Sequence, residues 1–365
     1  MIHILYNCIA PFILLLNIKK ISADRFQLPE INRKKGKLFW VHAVSVGETK
    51  AAISLIRELQ KRNPKAQIVL SCGTQTGLAE AKRTFADIDC FRLPFDSTWL
   101  MKPLVKNLAP THFFLVETDL WPNLLYFLKK NSVPCSLVSA KMSERSFKRY
   151  KLFPAFAKYQ MSHFDHICLQ SDEYRKCFAP FYKGELFVTG NLKWDTIAIE
   201  KKTRKNKKLT IALGSTHAGE EKLLLEAVKI LPAKIYVVPR HPERFLEVAE
   251  IVKEYPNSVL IDQMGKLCSY YAKSDIAIVG GSFLPGVGGH NIFEPLAYGT
   301  PVIFGPYMWS QKEMTKLALE NAAGAQCIAQ ELPKTIEKMI RRGAAGQKLL
   351  QSLQGAAQKT LNACL

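Results

Sequence analysis

The strongest constraint on the fold is an alternation of short apolar runs with amphipathic segments, which begins near Leu38 and restarts near Leu209. This rhythm is typical of βαβ units that build parallel sheets. Residues 38–42 are predicted to form the first strand, residues 44–48 a turn, and residues 49–62 a helix. We therefore expect an α/β chain made of two Rossmann-like domains.

A hydrophilic run of one charge sign at residues 201–208 separates the two series and is predicted to be a linker. The predicted organisation is an apolar N-terminal segment at residues 1–20, a first Rossmann-like domain at 21–200 and a second, with C-terminal helices, at 209–365. The 365 residues suffice for two cores of ordinary size. The expected ligand site is a cleft across which the two domains face each other.

Positive charge is concentrated before the second domain. Residues 1–208 hold 35 Lys and Arg against 17 Asp and Glu, whereas the remaining residues hold 16 against 14. This asymmetry predicts that the first domain binds a polyanion. The candidate partners are phosphorylated lipid, a membrane surface and nucleic acid. A solubilising charge is the alternative, but it does not explain the asymmetry. The basic run at 201–208 contains no interleaved aromatic residue, so we expect no nucleic-acid partner.

The nine cysteines are scattered, odd in number and without a C-x-x-C pair. This pattern predicts reduced thiols in a cytosolic compartment rather than a disulfide framework or a zinc site. No P-loop pattern occurs, and no clean G-x-G-x-x-G follows the first predicted strand. ATP hydrolysis and NAD chemistry therefore lack their usual signatures.

The first residues of the chain form an apolar stretch, residues 4–18, followed by Lys19 and Lys20. The stretch is short for a spanning helix, which needs about 20 residues, and it contains Pro11. It also lacks the basic region and the cleavage site of a signal peptide. We expect a shallow anchor with both lysines at anionic headgroups, and a buried N-terminal helix is the alternative.

Three polar residues of the first domain follow predicted strands. Glu48 near a helix N-terminus could act as a general base, or could only stabilise that helix end. Glu117 is a second candidate, because Asp119 with Pro122 is better suited to cap the following helix. Lys193 could stabilise the charge on a leaving phosphate, with an ordinary surface lysine as the alternative.

The second domain holds the residues suited to a nucleotide. Ser215 and Thr216 lie between a strand and a helix, where hydroxyl and N–H groups can hold a phosphate. Arg240 ends a strand and can reach a phosphate or a base edge. Asn291 and Glu294 open a helix after Gly-rich turns and share one face, where they could bind ribose and phosphate or form a capping box.

Seven segments, taken together, resemble the 3-deoxy-D-manno-octulosonic acid (Kdo) transferases of lipopolysaccharide synthesis. They occur in the family's order, and their combined length makes the resemblance specific. The matching segments are residues 42–48, 117–123, 143–146, 190–195, 239–245, 279–282 and 288–295.

The resemblance implies a GT-B fold, CMP-Kdo as donor, a lipid A precursor (lipid IVA) as acceptor, and a reaction with no metal and no cofactor. It also implies attachment to the cytoplasmic face of the inner membrane through the N-terminus. By resemblance, Glu48 is the base that deprotonates the acceptor hydroxyl, while Glu117 and Lys193 stabilise the transition state. The CMP-contacting positions correspond to Pro239, Arg240, Met264, Gly265, Lys266, Asn291, Ile292, Phe293 and Glu294.

The chain departs from the family pattern at three places. Lys266 stands where the family usually has an acid, Tyr307 stands where histidine is common, and the segment before Trp40 is shorter than typical. The Gly-rich turns and the Asn-x-x-Glu spacing, taken alone, also permit a GT-B transferase or an epimerase acting on a UDP-sugar. The rival from another class is a basic nucleic-acid-binding or scaffold protein.

Overall fold

The computed structural model describes His3, Tyr6, Asn7 and residues 22–117, 119–200 and 208–365. The chain divides into two compact units, Met1–Thr196 with Gln354–Leu365, and Ile197–Leu353. Each unit contains one parallel sheet with helices, as the α/β prediction requires. The predicted linker lies, except for Lys208, outside the described residues, and so does most of the apolar segment 1–20.

The sheet of the first unit has seven parallel strands in the order β3-β2-β1-β4-β5-β6-β7. The strands are β1 Leu38–Ala43, β2 Gln67–Cys72, β3 Asp89–Arg92, β4 His112–Val116, β5 Cys135–Ala140, β6 His166–Leu169 and β7 Leu186–Val188. The helices are α1 Val46–Arg62, α2 Gln75–Thr84, α3 Thr98–Leu108, α4 Pro122–Lys130, α5 Glu144–Leu152, α6 Pro154–Met161 and α7 Arg175–Phe178.

Strand β1 lies inside this sheet between β2 and β4, and all six of its residues are buried. Trp40 packs in the core cluster on one face, edge-on to Phe113 at a ring distance of 5.1 Å. Phe39 belongs to the cluster on the other face, beside Phe114 of β4. A sheet that is covered by apolar side chains on both faces explains why its strands read as continuous apolar runs.

Helix α1 begins at Val46, so the prediction of a turn over residues 44–48 is wrong for its last three residues. The reason is Ser45, which caps the helix by accepting a hydrogen bond from the Glu48 N–H. Strand β3 lies at the edge of the sheet with one exposed, two half-buried and one buried residue, so it lacks a continuous apolar run from which a strand could be predicted.

The second unit has six parallel strands in the order β10-β9-β8-β11-β12-β13. They are β8 Leu209–Thr216, β9 Ala233–Pro239, β10 Ser258–Leu260, β11 Ile276–Val279, β12 Val302–Phe304 and β13 Gly324–Gln326. The helices are α8 Glu220–Val228, α9 Phe245–Lys253, α10 Leu267–Lys273, α11 Phe293–Ala297, α12 Lys312–Glu320, α13 Leu332–Met339 and α14 Gly343–Leu353.

The last helix, α15 (Ala356–Cys364), belongs to the first unit. The second domain drawn from the sequence, residues 209–365, therefore extends too far. Leu361 and its buried neighbours join the core cluster that contains α1. The Asp195 carboxylate accepts hydrogen bonds from three N–H groups at the start of α15, those of Gly355, Ala356 and Ala357. This capping links residues far apart in sequence and could not be seen in the local pattern.

Replacing Asp195 with Ala is expected to weaken the attachment of α15, because three N–H groups at a helix start lose their acceptor. Loss of such a cap costs about 0.5–2 kcal/mol, so the amides of residues 356–364 should exchange hydrogen several-fold faster. Asp172→Ala is the control, since this carboxylate is 77% exposed and pairs with Arg175 near the surface. Unchanged exchange in α15 of the Asp195 variant would contradict the assignment.

Three described residues of the N-terminal segment contact the first unit. His3 and Asn7 hydrogen-bond to the Asn123 side chain, and the Tyr6 hydroxyl donates to Asp96. Positions 3, 6 and 7 are spaced as one face of a helical turn. No helix within the described ranges is both long and apolar enough to cross a membrane. The predicted shallow anchor stays a prediction.

Candidate active site

Five neighbouring strands of the first unit each place one polar residue at the carboxyl edge of the sheet. These residues follow β1, β4, β5, β6 and β7, which are adjacent in the sheet order. Since all strands are parallel, their carboxyl ends lie along the same edge. The five residues are Glu48, Glu117, Lys141, Gln170 and Lys193.

Glu48 lies in the first turn of α1 and is 9% exposed. One carboxylate oxygen accepts a hydrogen bond from the Val44 N–H at 2.7 Å, and the other accepts one from the Ser45 hydroxyl at 2.9 Å. The Ser45 oxygen also accepts the Glu48 N–H. The arrangement is close to a capping box, so the carboxylate is fixed in orientation by the helix start that it stabilises.

Burial raises the pKa of Glu48 above that of an ordinary glutamate. The hydrogen bonds from Val44 and Ser45 favour the charged form and oppose this shift, while the negative charges of Glu117 and Asp119 add to it. A carboxylate with a raised pKa accepts a proton more readily than an exposed one. A fixed orientation and a raised pKa are properties that suit the predicted role of Glu48 as a general base.

Glu117 is held between two lysines. Lys193 Nζ lies 2.9 Å from one carboxylate oxygen, and Lys141 Nζ lies 3.0 Å from the other. Glu117 is mostly buried and has a left-handed backbone with φ 62°, which costs about 1–2 kcal/mol for a residue with a side chain. The strained backbone follows directly from β4 and directs the carboxylate to the two lysines. Such strain is often found where a side chain must be aimed at a reacting group.

The loop that carries Lys193 is held by a buried network of hydrogen bonds. The Lys193 N–H donates to the Asn191 side chain, whose amide donates to Gln170 at 3.3 Å. Gln170 in turn donates to the carbonyl and the hydroxyl oxygens of Ser139, two residues before Lys141. The network thus connects the loops of both lysines. A Cβ added at Gly47 would lie 3.9 Å from Lys193 Nζ, so this amine also approaches the start of α1.

Removing the Ser45 hydroxyl should shift the pH dependence of catalysis. Ser45→Ala removes a hydrogen bond that lowers the pKa of Glu48, so this pKa should rise further and the acid limb of kcat/KM should move to higher pH. The pH–rate profile measures the shift. Ser143→Ala is the control, because Ser143 caps α5 in the same way without touching Glu48. A limb that moves equally in both variants, or in neither, would count against Glu48 as the base.

In the second unit, three predicted CMP-contacting residues come together. Asn291 donates a hydrogen bond to Glu294 and accepts one from the Phe293 N–H. Burial raises the pKa of Glu294, whereas the Asn291 bond and the positive charge of Arg240 lower it. Arg240 directly follows β9 and is exposed, so its guanidinium is accessible to a ligand. Asn291 and Glu294 meet side chain to side chain, which differs from the reciprocal backbone bonds of a capping box.

The other predicted CMP-contacting residues differ in accessibility. Met264, Gly265 and Lys266 are exposed and precede α10. Ile292 and Phe293 are fully buried, so only their backbone could contact a nucleotide. Pro239 is the buried last residue of β9.

The predicted phosphate loop around Ser215 and Thr216 is more enclosed than expected. Thr216 is fully buried, and Ser215 is 7% exposed in a left-handed conformation. The His217 N–H donates to the buried carboxylate of Glu220. The same carboxylate accepts the N–H groups of residues 281–283 in the Gly-rich turn. Glu220 therefore satisfies the N–H group that follows the predicted phosphate loop, together with three N–H groups of the Gly-rich turn.

Three histidines lie beside Arg240. His217 and His290 are joined through their Nε2 atoms at 2.7 Å, and His241 meets His217 edge-on at a ring distance of 5.0 Å. Burial lowers the pKa of His290 to about 4, with contributions from His217, Arg240 and His241. The His290 imidazole is therefore uncharged at neutral pH, which leaves the guanidinium of Arg240 as a positive charge beside it.

In the part of the chain that the structure describes, no group of three or more His, Cys, Asp or Glu side chains could hold a metal ion. Asp87 and Asp89 are spaced as D-x-D, but they lie at the amino end of β3, where Gln60 and Gln67 donate to their carboxylates. The eight described cysteines are free thiols.

Comparison with known proteins identifies the family. A family model described as 3-deoxy-D-manno-octulosonic-acid transferase (kdotransferase) matches residues 21–196. The chain is 33% identical over 366 residues to the 3-deoxy-D-manno-octulosonic acid transferase of Haemophilus influenzae, over 88% of this chain and 85% of the relative. The chain belongs to the Kdo transferase family. The corresponding enzyme of Bordetella pertussis is 31% identical over 372 residues, covering 89% of this chain and 86% of the relative.

Solved structures show the fold class. MurG of Acinetobacter baumannii superimposes with a TM-score of 0.62 at 13% identity, over 90% of this chain and 99% of that chain. A UDP-GlcNAc 2-epimerase of Neisseria meningitidis gives 0.61 at 13% identity, over 90% and 99%. The predicted GT-B type fold with two Rossmann-like units is therefore confirmed. The cleft between the units and the individual roles of the site residues stay predictions.

Proposed function

We propose that this glycosyltransferase moves Kdo from CMP-Kdo to a lipid A precursor, with Glu48 as the base. The observation that carries the proposal is the buried, oriented carboxylate of Glu48 beside Glu117 and its two lysines. Glu48 Oε atoms are held by Val44 and Ser45, and burial raises the Glu48 pKa. Family membership supports the choice of sugar, since the relatives are named for Kdo transfer.

In the proposed reaction, the acceptor hydroxyl gives its proton to Glu48 as its oxygen bonds to the anomeric carbon of Kdo. The bond between that carbon and the phosphate oxygen breaks, CMP leaves with the electron pair, and the configuration inverts. Lys141 and Lys193, which hold Glu117, supply positive charge near the reacting centre. Fixed charges in a partly buried site stabilise developing charge at little reorganisation cost.

Donor recognition is assigned to the second unit. Arg240 is exposed at the end of β9 beside Asn291 and Glu294. A guanidinium binds phosphate through charge-assisted hydrogen bonds, and the Asn291–Glu294 pair offers polar atoms to ribose hydroxyls. Lys266 is exposed where relatives are expected to carry an acid, so we propose a backbone contact at this position.

The excess of positive charge in the first part of the chain supports both the proposed acceptor and the proposed location. The excess of positive charge before residue 208 suits a phosphorylated lipid acceptor and an anionic membrane surface. We propose that the protein acts at the cytoplasmic face of the inner membrane. A nucleotide donor and free thiols are both typical of the cytosol, which is a reducing compartment. The predicted role of residues 1–20 as a shallow anchor is part of this proposal.

Substitution of Glu48 tests its proposed role as the general base. Glu48→Ala should lower kcat by about 10²-fold or more, while CMP affinity stays near the wild-type value because the nucleotide contacts lie in the other unit. Glu48→Gln, which keeps the side-chain shape, should be similarly inactive. Glu58→Ala on the same helix is the control, since Glu58 forms a partly exposed pair with Arg62. Wild-type turnover in either Glu48 variant would refute the role of the base.

Removing Arg240 tests donor recognition. Because a hydrogen bond to a charged group contributes about 1.5–3 kcal/mol, Arg240→Ala should weaken CMP binding about 10- to 100-fold in calorimetry. Lys253→Ala is the control, as Lys253 is exposed and pairs only with Glu250 in the described residues. Unchanged CMP affinity in the Arg240 variant would remove this residue from the donor site.

A GT-B enzyme acting on a UDP-sugar is the second candidate, because the fold is shared with such proteins. Thermal shifts with CMP and with UDP separate the two. Stabilisation by CMP and none by UDP supports the proposed donor, whereas a UDP-selective shift would replace it.

A further inference from the structure

The turn between α5 and α6 is unusual because it exposes apolar and basic side chains together. Helix α5 contains no buried residue. Phe147 and Tyr150 on its inner side approach the ring of Phe181, at centroid distances of 6.0 and 6.1 Å. These two contacts attach α5 to the first unit. The outer side of the helix and the turn that follows it are left to solvent.

We call this outer surface, residues 145–158, the α5–α6 corner. Leu152 and Phe153 are 73% and 69% exposed at its apex, and Pro154 and Ala155 after them are also exposed. Five exposed cations surround the apex, and the neighbouring acid Glu144 lies 4.0 Å from one of them, Lys148. The cations are Arg145, Lys148, Arg149, Lys151 and Lys158.

The corner is close to both the active-site candidate and the N-terminus. Helix α5 starts three residues after Lys141, and the charge of Asp119 acts on Tyr150, whose pKa is raised mainly by burial. Just after α6, the pKa of His163 is lowered mainly by burial, and the charge of His3 contributes to this shift. The corner, α6 and the described N-terminal residues are therefore connected along one side of the first unit.

We propose that the α5–α6 corner docks on an anionic lipid bilayer, with Leu152 and Phe153 inserted among the headgroups and the cations at lipid phosphates. The inference rests on the proposed function, because a lipid-linked acceptor must be reached from a membrane. Helix α5 has nine residues and separates the apex from Lys141 by about 14 Å. Docking through the corner therefore holds Lys141 and Glu117 within about one short helix length of the surface that carries a phosphorylated lipid acceptor.

The chemistry favours a bilayer over a protein or a nucleic acid. Exposed Leu and Phe at the apex of a turn can insert into a fluid interface without a complementary pocket. Long Lys and Arg stems place their charges at headgroup level around inserted apolar groups. Each cation near an anionic surface adds attraction that depends on salt and lipid charge. The apex lacks the row of stacking aromatic side chains expected of a single-stranded nucleic-acid surface.

The test compares full-length variants in co-sedimentation with vesicles of phosphatidylcholine alone or with phosphatidylglycerol added. Leu152→Ser/Phe153→Ser removes the apex, and Lys148→Gln/Arg149→Gln removes two charges. Ile230→Ser/Leu246→Ser is the matched control, since these residues are 71% and 85% exposed in the second unit. All variants keep the N-terminal segment, so differences between them report the corner alone.

The apex variant should lose at least about tenfold in partition to anionic vesicles, as expected when two apolar side chains no longer insert. The charge variant should lose about fivefold for each charge removed, and only with anionic lipid. The control should bind as the wild type does. The proposal would be overturned if the apex variant bound vesicles as the wild type does, or if the control lost as much binding as the apex variant. It would also be overturned if the apex variant lost binding to nucleic acid while its vesicle binding stayed unchanged.

Activity on a detergent-dispersed acceptor separates this proposal from the proposed function. There the apex variant should keep the wild-type kcat and the KM for CMP-Kdo, because the corner is outside the reacting groups. Loss of transfer on vesicles with retained transfer in detergent supports docking. If the wild-type protein transfers no Kdo in either system, the proposed function fails, while vesicle partition still decides the role of the corner.

Discussion

The parallel pairing around the buried strand β1 is the constraint on which the candidate active site depends. Because β1 pairs in parallel with β2 and β4, and the sheet continues in parallel to β7, every strand ends at the same edge. Five polar residues that follow five neighbouring strands then fall along that edge, where the start of α1 orients Glu48 and a hydrogen-bond network holds the Lys193 loop. The apolar clusters on both faces of the sheet hold this edge rigid, and rigid support is what charged groups need to act together.

Much of this arrangement could be predicted from local patterns. Apolar runs predicted most strands, and the position of Glu48 and Glu117 after strands predicted their place at the sheet edge. Family resemblance added the choice of sugar. Lys141 was missed because a single lysine after a strand looks like any surface lysine, and its significance comes only from the Glu117 oxygen 3.0 Å away. Long-range contacts of this kind leave no periodic signal in the sequence.

The errors have the same origin. The loop at Ser215 and Thr216 was predicted to offer N–H groups to a phosphate, yet the Glu220 carboxylate accepts the N–H of the next residue, His217, and those of the Gly-rich turn after β11. The final helix was assigned to the second domain by chain order, but Asp195 caps it and places it in the first unit. In both cases a carboxylate from a distant part of the chain accepts hydrogen bonds from backbone N–H groups. Buried N–H groups need an acceptor, and the sequence does not show which distant residue provides it.

Glu48 combines two demands that usually conflict. A residue that caps a helix is most useful when ionised, since its charge then meets the helix dipole and the donors of Val44 and Ser45. A general base must instead accept a proton during each turnover. Burial, with the charges of Glu117 and Asp119, reduces this conflict by raising the pKa of Glu48 against the effect of the two donors. The same contacts that stabilise the start of α1 therefore also affect the proton affinity of Glu48, the proposed base, so a change at Val44 or Ser45 alters both properties.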